Sequence, residues 1–512
     1  MRKYLLVVPG LITLLVAGCA SLGPRPDLPV ESAIPAGSGT RLDELVGAAE
    51  AQHPGLSGFR LVREGPEAFA VRAASARTAG RSIDVQTYIW HDDLTGRFLG
   101  LRLLEAADRG VKVRLLVDDM DARDKNYAFA ALAAHPNISV RMFNPFASRS
   151  GSLRYAFEAL GSFDRINHRM HNKTWIVDNR LAIAGGRNLG DEYFGASDEV
   201  NFVDLDFAMA GPIVRDASAS FDRYWNSPFA YPIQVLAPEH VTTAALEALR
   251  QHAAAVRDEA ERSRFAQELQ QNDAVQRLVA GDWPLSWAAN YRFVADDPAK
   301  VAGDKQGVAA SNVLGTLSPM LKTSTKNVTI ISPYFVPGPG GTEFLTNVDK
   351  SGSAVRVLTN SLAANDVAMV YGGYSKSRVE LLEGGVELWE LKPENGRKTK
   401  SSLFGSAGAS LHTKALTADG KLAFVGSYNL DPRSTSLNCE QGIFVEDAGI
   451  ATQLEQIFQL DTAGERAWAV SLHDRAVQWT DGQKTYDSSP EASTGRRFQA
   501  WIAKVLPIDA QL

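Results

Sequence analysis

His171-Asn172-Lys173-Thr174-Trp175-Ile176-Val177-Asp178, followed after six residues by Gly185-Gly186-Arg187-Asn188, has a second copy in the same chain. The copy reads His412-Thr413-Lys414-Ala415-Leu416-Thr417-Ala418-Asp419 and continues after six residues to Gly426-Ser427-Tyr428-Asn429. Both fit H-x-K-x4-D-x6-G-[GS]-x-N, at an offset of 241. A single H-x-K-x4-D is a weak signal, because three positions of ordinary frequency coincide easily. Two extended copies in register are a duplication.

Outward from the copies the offset persists. Residues 83–90 read as a strand, 99–109 carry apolar residues at helical spacing, and 111–117 read as a second strand. Such a β-α-β unit has parallel strands and belongs to the α/β class. Residues 328–335, 344–350 and 354–358 repeat it, and Gly110-Val111-Lys112-Val113-Arg114-Leu115-Leu116 matches Gly352-Ser353-Ala354-Val355-Arg356-Val357-Leu358 at an offset of 242. The predicted architecture is two homologous α-β-α halves, 46–235 and 311–460, with sheets packed about a pseudo-twofold axis and an active site at their interface. Between them 236–310 reads as a helical connector, being rich in Ala, Glu, Gln and Arg and free of Pro over 242–281. In the last segment, 461–512, Phe498, Trp501, Ile502, Val505 and Leu506 recur at helical spacing, and the apolar stripe is expected to pack onto the domain.

The motif has a direct chemical reading. Side chains alternate along a strand, so His171 and Lys173 share a face, as do His412 and Lys414. Two such sets facing each other place two imidazoles, two ammonium groups and the amides of Asn188 and Asn429 around one point. That is a phosphodiester site that calls for no metal and no cofactor. The ammonium and amide groups hold the non-bridging oxygens, one neutral imidazole attacks phosphorus and the other, protonated, supplies the leaving oxygen's proton. Opposite protonation states need supporting carboxylates, and Asp206 and Glu440, 35 and 28 residues after their histidines, are the expected histidine-orienting partners.

The rest of the composition narrows the classes. The 512 residues, 45% hydrophobic and 22% charged, are ordinary for a globular chain of several domains. Lys+Arg 53 against Asp+Glu 59 gives a net charge of −6, with no general attraction for nucleic acid. No G-x-S-x-G, P-loop or G-x-G-x-x-G occurs. Two cysteines build no disulfide framework. Arg2 and Lys3 precede an apolar run from Tyr4 to Ala17, too short to span a bilayer and long enough for a signal peptide over 1–18. Pro24, Pro26, Pro29 and Pro35 predict a flexible linker over 19–45.

These motifs can be placed in families. Leu15-Val16-Ala17-Gly18-Cys19 resembles the bacterial lipobox, which implies cleavage before Cys19, lipidation there and a bacterial protein anchored on the extracytoplasmic side. Ala20, where Asp favours retention in the inner membrane of Gram-negative lipoproteins, leans toward the outer membrane. The doubled motif, from about Ser82 to Val445, resembles the two-motif members of the phospholipase D superfamily. Thr87-Tyr88-Ile89-Trp90, Asn188-Leu189-Gly190-Asp191-Glu192-Tyr193 and Val505-Leu506-Pro507-Ile508 are most similar to its bacterial cardiolipin synthase branch, especially the C-type members. That resemblance implies a phosphohistidine on His171, leaving-group protonation by His412, and structural roles behind the site for the motif aspartates Asp178 and Asp419. It also implies membrane phospholipids as partners, phosphatidylglycerol first and phosphatidylethanolamine as a second donor. Phosphatidyl transfer to a glycerol hydroxyl makes cardiolipin; transfer to water makes phosphatidic acid. A metal-independent nuclease and a non-catalytic lipoprotein scaffold stand behind these two.

Lesser signals have bland readings beside functional ones. Asp118-Asp119-Met120-Asp121 reads as a polar loop near the site mouth, His91-Asp92-Asp93 as a turn with an Asp cap, and Cys439 as a small buried residue. His168 and Arg169 read either as head-group contacts or as solvated loop.

Overall fold

The computed structural model describes residues 22–122, 125–147, 163–303, 311–393 and 410–506. The predicted signal peptide and Cys19 lie outside the described residues. Two sheets carry the fold. The first runs in the order Ser286–Ala288, Ser57–Val62, Asp206–Ala210, Leu181–Gly185, Thr174–Val177, Ser82–Thr87, Lys112–Asp118, Ile138–Phe143 and Ala230–Pro232. The second runs Tyr291–Ala295, Gln441–Glu446, Leu422–Gly426, Ala415–Ala418, Asn327–Ile331, Ala354–Asn360, Glu387–Leu391, Ala467–His473, Ala476–Thr480 and Thr485–Tyr486. Ser82–Thr87 is parallel to Lys112–Asp118 and antiparallel to the motif strand Thr174–Val177. Asn327–Ile331 stands in the same relation to Ala354–Asn360 and to Ala415–Ala418. The duplication read from the motifs is therefore a duplication of sheet topology.

Alternation along these strands makes one core for each outer face and one for the middle. Ile83, Val85 and Val113 point to the outer helices of the first half, and Val328, Ile330 and Val355 to those of the second. Ile176, Ala182 and Ala184 meet Ala415, Ala423, Val425 and Ile443 in a shared cluster between the sheets, joined by helices Pro212–Trp225 and Ala448–Thr462. Burying apolar surface from both halves in one cluster ties their stabilities together.

The motif aspartates sit on the turn after each motif strand with left-handed backbone, φ 52° at Asp178 and 54° at Asp419. The Asp178 carboxylate accepts from the backbone amides of Gly80, Arg81 and Ser82 at 2.7–3.2 Å. Asp419 accepts from those of Thr325, Lys326 and Asn327 and from Ser324 Oγ. Each therefore fastens its motif strand to the start of the antiparallel strand beside it.

Three segments carry structure beyond their sequence reading. Within 236–310, helices Thr243–Arg262, Arg264–Gln271 and Asp273–Ala280 pack on the first half, because Leu246, Phe265, Ala274 and Val275 bury there. The chain then pairs Ser286–Ala288 with the first sheet and Tyr291–Ala295 with the second, so it crosses between halves at Ala289 and Asn290. Within 19–45, the described part is docked: Arg25 donates to Ala230 O, the amides of Glu31 and Ala33 donate to Asn226 and Asp222, and a helix starts at Arg41. Side-chain acceptors along helix Pro212–Trp225 and just after it thus override a proline-rich composition. In 461–512 the strands extend the second sheet, and helix Thr494–Val505 packs through Ala500 and Ala503 on helix Ala368–Glu383. A Cβ at Gly372 would lie 2.4 Å from Ala500 O, so close approach selects the small face. Phe498, Trp501 and Val505 consequently stay 59%, 56% and 57% exposed. No helix among the described residues is long and apolar enough to cross a membrane.

Replacing Asp178 with Ala strands the buried amide of Ser82 and the half-buried amide of Arg81 at the start of a central strand, and should cost roughly 1–3 kcal/mol of unfolding free energy. Asp419→Ala should cost less, because Thr325 and Lys326 are exposed and water replaces the lost acceptor. Urea unfolding of the two variants checks the order; equal losses would contradict it.

Candidate active site

The motif strands deliver His171 and His412 to the seam between the sheets, and the backbone there is stitched across the halves. His171 N donates to Cys439 O at 2.8 Å and Cys439 N to Arg169 O at 2.8 Å. His412 N donates to Val203 O at 2.8 Å, and Ser410–Leu411 pairs in parallel with Phe202–Val203. Each histidine thus lies against the segment that precedes a carboxylate of the opposite half.

The imidazole partners are crossed. His171 Nδ1 lies 3.0 Å from Glu440 Oε2, and His412 Nδ1 lies 2.6 Å from Asp204 Oδ2. The sequence reading, which paired each histidine with a carboxylate of its own half and chose Asp206, is corrected on both points. Asp206 is buried in an ion pair with Arg72 at 2.9 Å and Arg187 at 3.3 Å. Arg187 in turn donates to Asp204 O at 2.6 Å, to Val62 O and to Tyr193 O, so Asp206 and Arg187 hold the loop that presents Asp204. The strand register carries the overlooked signal. Gly185 faces Asp206 in its ladder as Gly426 faces Gly442, and two residues before these partners stand Asp204 and Glu440.

The glycine or serine of the motif serves the carboxylate. A Cβ on Gly186 would fall 2.1 Å from Asp204 Oδ1, so only glycine leaves room. At the equivalent Ser427 the hydroxyl donates to Glu440 Oε2, while Ser434 Oγ donates to Oε1 at 3.0 Å.

Lys173 Nζ donates to His171 O at 2.6 Å and lies 5.3 Å from the ring centre of Tyr88; Lys414 Nζ donates to His412 O at 2.5 Å and lies 6.0 Å from that of Tyr334. Tyr88 also meets His171 edge-on at 5.1 Å, and Tyr193 and Phe202 flank His412 at 5.3 and 5.2 Å. The sequence reading missed these four aromatics; only their places after the strands and motifs hint at them. Asn188 is already engaged, donating to Tyr193 OH at 2.8 Å and accepting from Ile89 N at 3.2 Å. It holds the Tyr88 loop and Tyr193. Asn429 Oδ1 has no partner among the described residues, which leaves that amide the freer of the two.

Burial sets the charges. It pushes His171 down to about 4, against the pull of Glu440, and His412 down to about 3, with Lys414 adding to the push and Asp204 opposing it. Burial likewise brings Lys414 down to about 8 and puts Lys173 well below its usual range. Burial alone would raise Glu440 and Asp204, but the facing imidazoles and lysines outweigh it and hold both low. Both imidazoles are therefore neutral at pH 7, each Nδ1–H directed to a carboxylate and neither Nε2 engaged among the described residues.

The remaining polar signals resolve as structure. Arg169 is buried and donates to Asp118 at 2.8 Å, so it is neither a head-group contact nor solvated. Asp118 also accepts from Met170 N, Asp119 from Phe146 N, and Asp121 from Trp90 N and Lys125. Asp93 caps helix Leu94–Asp108 through Gly96 N. Cys439 is buried and its thiol is pushed up, first by burial.

Comparison with known proteins places this geometry. The sequence matches the family "Cardiolipin synthase, PLD-like domain" over residues 74–225 and 317–462. Cardiolipin synthase C of Escherichia coli (strain K12) is 38% identical over 90% of this chain and 97% of its own. Cardiolipin synthase A of Pseudomonas entomophila (strain L48) is 26% identical over 78% and 68%. The crystal structure of phosphatidylserine synthase from Haemophilus influenzae Rd KW20 superimposes with a TM-score of 0.57 at 13% identity, over 91% of this chain and all of the other, a likeness of fold.

Nitrogen NMR of the labelled histidines should show His171 and His412 gaining protons only as the pH falls toward about 4 and about 3, not near the ordinary 6.5. Between about pH 6.5 and 4 the unfolded chain binds protons that the folded site refuses, so acid should also lower stability in that window. Glu440→Gln removes the partner that raises His171 and should move its titration lower still. A titration of either histidine near 6.5 in the folded protein would contradict this charge assignment.

Proposed function

From the premise that the chain belongs to the family of cardiolipin synthases with phospholipase D-like domains, we propose that it makes cardiolipin through a phosphohistidine on His171. It is a phospholipase D-type phosphatidyltransferase. One observation supports the mechanism most: the two crossed imidazole–carboxylate pairs and two lysines meet in one buried seam.

His171 Nε2 attacks phosphorus, its Nδ1–H held by Glu440, and the bond from phosphorus to the head-group oxygen breaks as His412 Nε2–H gives that oxygen a proton. The donor's negative phosphate offsets Lys173 and Lys414 around His412 and lets that imidazole take up the proton it gives. Lys173, Lys414 and Asn429 face the non-bridging oxygens, where charge grows in the transition state. In the second half-reaction, neutral His412 takes the proton of an acceptor hydroxyl as its oxygen attacks phosphorus and the bond to His171 breaks. Burial of both histidines favours a glycerol hydroxyl of phosphatidylglycerol over water by limiting solvent at the phosphorus. Anchoring through Cys19 in the bacterial envelope, with the exposed Phe498, Trp501 and Val505 available to the bilayer interface, would bring the seam to its lipids.

Purified protein with vesicles of phosphatidylglycerol and phosphatidylethanolamine, in EDTA, should form cardiolipin by lipid mass spectrometry, and His171→Ala should form none. Phosphatidic acid alone would replace transfer with hydrolysis, and no lipid change would remove the reading. Asp204→Asn should lower kcat by about 10²–10⁴-fold with a glycerol leaving group. It should spare the first-turnover burst of p-nitrophenol from a p-nitrophenyl phosphodiester, which leaves without a proton. Equal losses on both substrates would deny His412 its acid role.

A further inference from the structure

Helix Thr243–Arg262 does not close onto the helices beneath it. Together with helices Leu94–Asp108 and Asn126–Ala133 it bounds a slot of about 500 Å³, within the range of ligand sites and far larger than the voids of a packed core. Its apolar walls carry Leu101, Leu104, Leu249 and Val256, and small residues among them leave the space open. Gly100 stands on one side and Ala248, Ala253 and Ala255 on another, over Phe129 and Leu132. A Cβ added at Gly100 would find its nearest neighbour, the Trp90 ring, 4.0 Å away.

The outer helix is held at its edges. Arg250 pairs with Asp108 at 2.6 Å, Arg257 with Glu105 at 2.7 Å and Glu259 with Arg97 at 2.8 Å. These pairs order it antiparallel to helix Leu94–Asp108 and keep it in place over the slot. From Gly96 to Leu104 the slot runs about 12 Å along that helix. That is the length of roughly ten bonds of an extended chain at about 1.2 Å each.

Its mouth, at Trp90 and His91, is joined by short stretches of chain to residues that touch the histidines. Trp90 lines the slot, and two residues earlier Tyr88 touches His171 and Lys173. His91 N donates to Leu189 O, and Asn188 accepts from Ile89 N, so the mouth is also joined to the loop whose Tyr193 packs on His412. Lys125 and His91 stand at this end, while the apolar walls lie deeper. A molecule seated here with its polar end at the histidines has a long, unbranched apolar tail.

We propose that this slot receives one acyl chain of the phospholipid whose phosphate lies between His171 and His412, and so selects long-chain lipids. The inference rests on the phospholipid reading of the site and adds where the chain goes.

The test uses the full chain carrying His171→Ala, in vesicles of phosphatidylglycerol and phosphatidylethanolamine doped with a phosphatidylglycerol bearing a diazirine midway along one acyl chain. After photolysis, peptide mass spectrometry should find label on the three helices around the slot, and Gly100→Leu or Ala253→Phe should reduce it at least fivefold. In the otherwise native enzyme, the same two substitutions should lower the ratio of kcat/KM for dioleoyl over dihexanoyl phosphatidylglycerol at least tenfold. Two substitutions on different helices keep the test standing should one fail to fold, and circular dichroism identifies that case. Label confined to exposed apolar residues such as Phe498 and Trp501, or an unchanged ratio in folded variants, would overturn the slot. Label in the slot without turnover of any lipid would uphold it as a chain-binding site and sink the phosphatidyltransferase reading instead.

Discussion

Everything at the seam depends on an imidazole of one half donating to a carboxylate of the other. His171 to Glu440 and His412 to Asp204 are buried polar pairs, and buried polar groups are stable only when each has its partner. Neither half can satisfy its own pair. Separated, each would expose an acceptor without its donor, a lysine without its opposing charge and the apolar cluster between the sheets. The chemistry and the packing of the two halves are thus one constraint. A displacement that loosens the sheets also loosens both imidazole tautomers.

The same crossing explains why residues outside the motif are as fixed as those within it. Asp204 is held through its carbonyl by Arg187, Arg187 by Asp206, and Asp206 by Arg72 from the outer helix of that half. Glu440 is held by Ser427, Ser434 and, through its amide, Asp296, which Lys300 neutralises in turn. Each support is a charged or hydrogen-bonded group taken out of water. Removal of one member leaves the next unpaired and costs more than an isolated bond would.

Much of this was legible in the sequence because repetition amplifies weak signals. The histidines, the lysines and the repeated β-α-β unit followed from two copies in register, and the structural role of Asp178 and Asp419 from the family resemblance. The carboxylate partners did not, since proximity along the chain favours a partner in the same half, whereas the docking of the halves decides it. Register would have separated Asp204 from Asp206, but only after the ladder from Gly185 to Asp206 was known. Helix Thr494–Val505 shows another limit: its apolar stripe was readable, yet Gly372 offers a groove that fits Ala500 and Ala503 and leaves Phe498 and Trp501 outside. Periodicity identifies a face; the shape of the opposing surface determines which face is used. Residues 243–280 read as helical and are so, but their role was not readable, since small residues on an Ala-rich helix look like filler until the space they leave is seen.

The pseudo-symmetry is imperfect where the two histidines must differ. Burial leaves them close in proton affinity, about 4 for His171 and about 3 for His412, so their own surroundings before substrate arrives give neither a decisive claim to a proton. Their carboxylates are not equivalent. Glu440 divides its oxygens among His171, Ser427 and Ser434, which spreads its charge over three donors. Among the described residues Asp204 receives His412 at 2.6 Å and besides it only the adjacent Leu205 amide, because Gly186 stands where the second half has a serine. A carboxylate less satisfied by other donors stabilises an imidazolium more strongly once a phosphate has offset the lysines. On that physical ground the glycine of the first motif and the serine of the second divide the labour, leaving His171 the better lone pair and His412 the better proton carrier.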